Sequence, residues 1–283
     1  MTVATRSFIH RYPVVSFAGL AYLITWGVQL PLLASRRGWI DMAVNEHWEV
    51  LAAFGPALAA MVVLRVLDGT DGVRRLLAAV VRWNVGLRAW LNGVGTPFAL
   101  LAGAVFVNRL VSGAWPDPAA LAAGELATLA GVVSFVLVSG AAQGFGEEPG
   151  WRGYMLPRLR ERHGAFAATL LLWPVWCLWH LPAFLGRPDF GPVQFVAFAF
   201  GILAASFWLT WLMERTGSLL MAVLWHLFIN VTRGIALEVS TPLFLTFNTL
   251  VMLGAVIIAV VWWIRIRRRP EKPSADSASH RAA

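Results

Sequence analysis

Gly144-Phe145-Gly146-Glu147-Glu148-Pro149-Gly150-Trp151-Arg152 is the stretch on which the reading of this chain turns. It sets two adjacent carboxylates at the end of a strongly apolar run, with an arginine four residues beyond the second. An ionisable group at membrane depth costs about 2.5–3.5 kcal/mol on insertion scales, so charges retained there mark a working site. Two histidines in later apolar segments, His180 and His226, are their natural partners.

Composition places the stretch in a membrane protein. The 283 residues are 58% hydrophobic and 13% charged, with a mean hydropathy of +0.67. Soluble domains carry roughly 25% charged residues. A chain of this length has room for about eight spans of some 20 residues. The expected fold is therefore all-α and polytopic, with about eight transmembrane helices in one integral membrane domain, 1–265. Residues 266–283 read as a basic, disordered cytoplasmic tail, polar and rich in Ser, Ala and Pro from Pro270.

Candidate spans are 13–34, 49–67, 90–112, 121–146, 164–186, 192–214, 216–237 and 242–264. Lys and Arg then divide 18 against 5 between the two sides. By the positive-inside rule both termini are cytoplasmic, in a cell inner or plasma membrane. The formal charge of +8 does not point to nucleic acid, because the basic residues sit between apolar runs and in the tail. Arg6 and Arg11 precede an apolar run too long for a signal peptide, which reads as an uncleaved first span. The only cysteine, Cys177, reads as a small buried hydrophobe and allows no intrachain disulfide.

Connection 68–89 mixes Arg74, Arg75, Arg82 and Arg88 with Leu76, Leu77, Val80 and Val81. That mixture suits a helix lying on an anionic leaflet, and equally an ordinary basic loop. A second basic connection, 154–163, carries Arg158, Arg160 and Arg162. Trp262 and Trp263, followed by Arg265, Arg267, Arg268 and Arg269, read as an interfacial aromatic belt with basic anchors. Gln29, Asn92, Asn108, Glu125, Gln143 and Asn248 read as hydrogen-bonding partners between helices, and Asn230 stands apart from them.

Neighbouring residues on a helix diverge by about 100°, so Glu147 and Glu148 point to different places and have different jobs. Arg152, one turn after Glu148, suits a structural ion pair with it, which leaves Glu147 as the base. Pro149 and the glycines around it should loosen the helix, as irregular backbone beside a water-filled cavity would require. The competing reading is that the acidic pair merely marks the cytoplasmic end of a span. Trp176 lies four residues before His180 on one face, where the indole could orient the imidazole. His226 and Asn230 repeat the spacing and offer donors to a single point, as an oxyanion or a bound water needs. A zinc-site His-Glu-x-x-His, a nucleophile elbow and a phosphate-binding glycine loop are all missing from the sequence.

Glu147-Glu148-x-x-x-Arg152, the aromatic Trp176 four residues before His180, and His226-x-x-x-Asn230 together resemble the three-motif signature of the CPBP (Abi, CAAX-processing type) intramembrane endopeptidases. The resemblance spans about 145–232 within a protease-like core of about 121–237, and the eight-span layout agrees with the family fold. Trp176 stands where the family usually has Phe. The resemblance implies a glutamic endopeptidase in which Glu147 and His180 activate water that attacks a peptide carbonyl. His226 and Asn230 would stabilise the oxyanion, with Glu148, Arg152 and Trp176 in support. The implied partners are a peptide or protein substrate at the membrane, lipid-modified or plain, and membrane lipids. No cofactor is required. Two histidines and a carboxylate with an open position would also suit Zn²⁺, which makes a zinc metalloprotease one alternative. A non-proteolytic membrane scaffold or peptide-immunity protein is another, and a proton-coupled transporter a weaker third.

The expected spans conflict in depth. Starting the fifth span near 164 puts His180 about 24 Å along its helix, while Glu147 falls at the end of the fourth. A fourth span that continues past Glu147 would reconcile them, with a fifth that starts later or bends at Pro174.

Overall fold

The structure, a computed structural model, describes residues 3–41, 48–122, 124–187 and 190–268. Most of the tail expected to be disordered therefore lies outside the described residues. The principal helices are α1 (Pro13–Arg36), α2 (Trp48–Leu67), α3 (Gly69–Val80), α4 (Gly86–Ser112), α5 (Leu129–Arg160), α6 (Ala165–Trp179), α7 (Pro192–Thr216), α8 (Leu219–Val239) and α9 (Thr241–Arg267). Seven of them, all but α3 and α6, are long and apolar enough to cross a bilayer. The described residues contain no strand. Large apolar side chains such as Leu23, Phe106, Leu110, Leu245 and Ile257 stay exposed on the outer helix faces. Water would penalise such a surface, whereas lipid tails match it. The chain is an all-α, integral membrane protein.

The fourth expected span ends too early. α5 does not stop at 146 but runs 13 residues beyond Glu147, to Arg160. The acidic pair is thus inside a span rather than at its end, and the connection expected over 154–163 shrinks to 161–164. The apolar pattern gives way to Pro, Gly and Arg after 146, but burial continues: Trp151, Tyr154, Met155 and Leu156 are all core residues. Tertiary packing overrides the local composition. Pro149 sits within the helix, and a wider π turn follows at Trp151–Met155. Proline lacks the amide hydrogen that an α turn needs, and the widened turn takes up the mismatch.

The fifth expected span, 164–186, also breaks. α6 ends at Trp179 and a short helix, Leu181–Leu185, continues after His180. At 1.5 Å per residue, Glu147 lies about 20 Å from the Arg160 end of α5 and His180 about 22 Å from the Ala165 start of α6. These ends are neighbours in the chain, so the two groups sit at one level and the depth conflict disappears.

Small residues bring the helices together at that level. Gly146 and Gly150 lie four residues apart on the α5 face turned to α2. A Cβ on Gly150 would stand 2.6 Å from the backbone of Pro56, and one on Gly146 would run into the Ala53 carbonyl. On the other side, Gly144 admits the Val223 carbonyl of α8, which a Cβ would meet at 2.6 Å. α5 is thereby clamped between α2 and α8 where its carboxylates emerge.

Two sequence readings at the arginine-rich end need adjustment. Residues 69–80 do form a helix, with Leu76 and Val80 buried and Leu77 and the following Val81 exposed. Trp262 is not a belt residue: it is buried against Phe207, ring centroids 5.9 Å apart. Trp263 faces outward, and the Arg267 guanidinium lies 4.8 Å from its ring centre.

Candidate functional site

Three helices supply the site: α5 carries Gln143, Glu147, Glu148 and Arg152; α6 carries Trp176 and is capped by His180; and α8 carries His226 and Asn230. Glu147 is 2% exposed, and Glu148 and Arg152 are fully buried. A buried charge is tolerable only with partners, and here each has at least one.

Glu148 Oε1 accepts hydrogen bonds from Arg152 Nη1 at 3.1 Å and from His226 Nδ1 at 2.7 Å. The first contact spans one helical turn, as the spacing suggests, and the second crosses from α5 to α8. Because the carboxylate can only accept, the proton between them belongs to His226 Nδ1, and Nε2 is the nitrogen left to act. The three residues form one buried ionic cluster.

Glu147 points elsewhere. Its Oε2 accepts a 2.7 Å hydrogen bond from the indole Nε1 of Trp176. The same residue holds His180 by a different atom: His180 Nδ1 donates to the Trp176 carbonyl at 2.8 Å. That carbonyl is available because the helix tightens at its end, where the His180 amide bonds back to Cys177 at 3.2 Å instead of to Trp176. Pro182, two residues on, enforces the stop. A carbonyl cannot donate, so His180 carries its proton on Nδ1 and presents Nε2 as a base.

Trp176 is therefore the hub of the site. Its ring also lies under the Arg152 guanidinium, 4.1 Å from carbon to centroid, and meets the His226 imidazole edge-on at 5.7 Å. The expectation that the indole itself orients His180 needs correction: the ring centroids are 6.1 Å apart, and the indole N–H is spent on Glu147. No direct hydrogen bond joins Glu147 to His180 among the described residues. They are connected through Trp176. The His180 ring is further fixed by aromatic neighbours, edge-on to Trp179 at 4.7 Å and to Phe198 at 5.1 Å.

Anchors from α1 hold the end of α6. Tyr22 donates to the Val175 carbonyl at 2.6 Å and Trp26 to the Trp179 carbonyl at 3.0 Å, meeting acceptors beside the helix stop.

Asn230 donates to Gln143 Oε1 at 2.6 Å. Gln143 is one turn before Glu147 on the same face of α5, so this bond draws Asn230 toward the carboxylate's side of the site. The sequence placed Gln143 only among bonds between helices. Its i,i+4 spacing from Glu147 was the available signal. Gln143, His180 and Asn230 are partly exposed, and access to the site lies on their side. Among the described residues, no three His, Cys, Asp or Glu side chains are grouped to hold a metal ion.

The arrangement sets together a near-dry carboxylate, an imidazole fixed in one tautomer, and an imidazole and carboxamide on the facing helix. No curated protein was found to match the chain. Residues 129–232, which begin at α5 and include every residue of this site, match the family model for the Rce1-like type II CAAX prenyl endopeptidases.

Proposed function

We propose that this protein is an intramembrane glutamic endopeptidase that hydrolyses a peptide bond of a membrane-associated protein or peptide. The observation that carries the reading is the double role of Trp176, which holds Glu147 by its indole and His180 by its carbonyl. A water between Glu147 and His180 Nε2 would lose its proton to this pair as it attacks the carbonyl carbon. General base catalysis of this kind contributes about 10²–10⁴-fold. His226 Nε2 and the Asn230 carboxamide would donate to the oxyanion, with Glu148 balancing the charge of a doubly protonated His226. Glu148 and Arg152 support the site without touching the substrate. The proton taken from water passes to the leaving amine, so the catalyst ends as it began.

In this reading the arginine-rich ends of the helices and both termini are cytoplasmic, in an inner or plasma membrane. Whether the substrate is prenylated is decided by experiment. Purified protein and its Glu147→Gln variant are given a mixed library of prenylated and plain peptides, each with and without a chelator. Cleavage by wild type alone, indifferent to the chelator, is expected. Equal behaviour of the two proteins would remove Glu147 as the base and favour a scaffold or immunity role. Loss of cleavage on chelation would replace the glutamic mechanism with a zinc-dependent one.

A further inference from the structure

A cavity of about 310 Å³ lies between α3 and the lower part of α5, lined by Arg75, Arg82, Arg152, Arg158 and one acid, Asp68. Asp68 is engaged by Arg75 at 3.1 Å, Arg82 reaches the Gly217 carbonyl at 3.1 Å, and Arg158 lies over the Tyr154 ring at 3.7 Å. Asp68 and Glu148 offset two of the four guanidinium groups, and Arg82 and Arg158 leave the lining positive. Arg152 is the buried wall. Its Nη1 bonds Glu148, while Nε and Nη2, the two donors of a single guanidinium edge, have no hydrogen-bond partner among the described residues. An unmet pair of parallel N–H groups is costly when buried, and it is the shape that takes an oxyanion in two bonds.

We propose that this cavity binds a phosphate group, presented by a lipid headgroup or as free phosphate, with Arg82 and Arg158 at its outer side and Arg152 in its inner wall. Several guanidinium groups around one space suit phosphate, which has oxygens on every side. A carboxylate is satisfied by one fork. The setting suits a lipid source: α3 turns exposed Leu77 outward, as an interfacial helix does, and the cavity lies beneath it. The site needs no assumption about peptide hydrolysis, and its test reads binding.

Purified protein in phosphatidylcholine nanodiscs is titrated with phosphatidylglycerol, with inorganic phosphate and with a short peptide bearing a free carboxylate, reading Tm and, by native mass spectrometry, bound lipid. A phosphate-bearing probe should raise Tm, and Arg82→Gln with Arg158→Gln should weaken its binding about tenfold or more. Arg88→Gln, which removes one exposed arginine near Arg82 in the sequence, should leave binding intact. Arg82→Lys keeps the charge and loses the fork, so it tests the site should the double variant fold poorly; it should bind measurably less. Response to phosphatidylglycerol alone assigns the site to lipid, and saturation by inorganic phosphate assigns it to the free anion. The proposal is overturned if Arg88→Gln loses as much as the double variant, if Arg82→Lys binds like wild type, if no phosphate probe binds, or if the carboxylate peptide binds in preference.

Discussion

Glu147 and Glu148 are neighbours in sequence, both buried, and they live in different regions of the site. Around Glu148 the contacts are ionic and converge on one oxygen, which gathers Arg152 and His226 while the guanidinium is packed on Trp176; the second oxygen is buried without a partner among the described residues. Around Glu147 they are sparse: one indole hydrogen bond, with His180 held at the far side of the same tryptophan. A carboxylate enclosed by its own counter-ions is suited to holding helices in place. One with a single neutral donor keeps its capacity for a water. Burial alone does not separate the two roles, whereas the partner list does.

The comparison can be broken at its strong side first. Arg152→Met should leave Glu148 with His226 alone and cost about 3–5 kcal/mol, as loss of one member of a buried pair does. A fall in Tm accompanied by loss of folded protein in detergent would register it. An Arg152→Met protein as stable as wild type would show that the cluster is not structural.

Next comes the hub. Trp176→Phe keeps an aromatic ring for Arg152 and His226 but removes the indole donor to Glu147. Hydrogen bonds to charged groups are worth about 1.5–3 kcal/mol, so Tm should fall by a loss of that size and kcat of the folded protein about 10- to 100-fold. Since the backbone carbonyl still holds His180, a larger loss of fold than of rate would contradict the division of labour described above.

The clamp on α5 is a third test, and a smaller one. Gly150→Ala would press a methyl group on the Pro56 backbone and should cost about 1–3 kcal/mol of stability. Gly201→Ala, at a helical glycine with nothing within 4 Å of the added carbon, should be neutral or mildly stabilising by comparison. Thermal unfolding of the two variants side by side separates close approach from helix propensity.

The smallest effect is expected at Gln143. Hydrogen bonds between membrane helices average about 0.6 kcal/mol, so Gln143→Leu should lower kcat about threefold through Asn230 and leave KM almost unchanged. An effect on KM alone would place Gln143 in substrate binding instead.

Much of this was legible in the sequence because charges in apolar runs are rare enough to be noticed. Glu147, Glu148, Arg152, His180, His226 and Asn230 announce themselves by type, and the spacing of Glu148 and Arg152 anticipates their contact. The end of α5 was not legible: Pro149, Gly150 and Gly153 look like a helix stop, and only packing of Trp151 and Tyr154 against Phe17 shows why the helix continues. Nor was the bond of Trp176 to Glu147, which joins residues 29 apart. Periodicity reports neighbours one turn away, and so it paired Trp176 with His180. Trp262 was misread for a related reason, since a tryptophan near a helix end faces lipid or core according to the helix's rotation, which local sequence does not set.

The most direct test of the account is to place Glu147→Gln and Glu148→Gln side by side, measuring Tm and the rate of peptide cleavage for each. The account predicts that Glu147→Gln folds with nearly the wild-type Tm and loses about 10²–10⁴-fold in rate, and that Glu148→Gln loses stability, its activity falling with the folded fraction. A stable, inactive Glu148→Gln beside an active Glu147→Gln would exchange the two roles and contradict it.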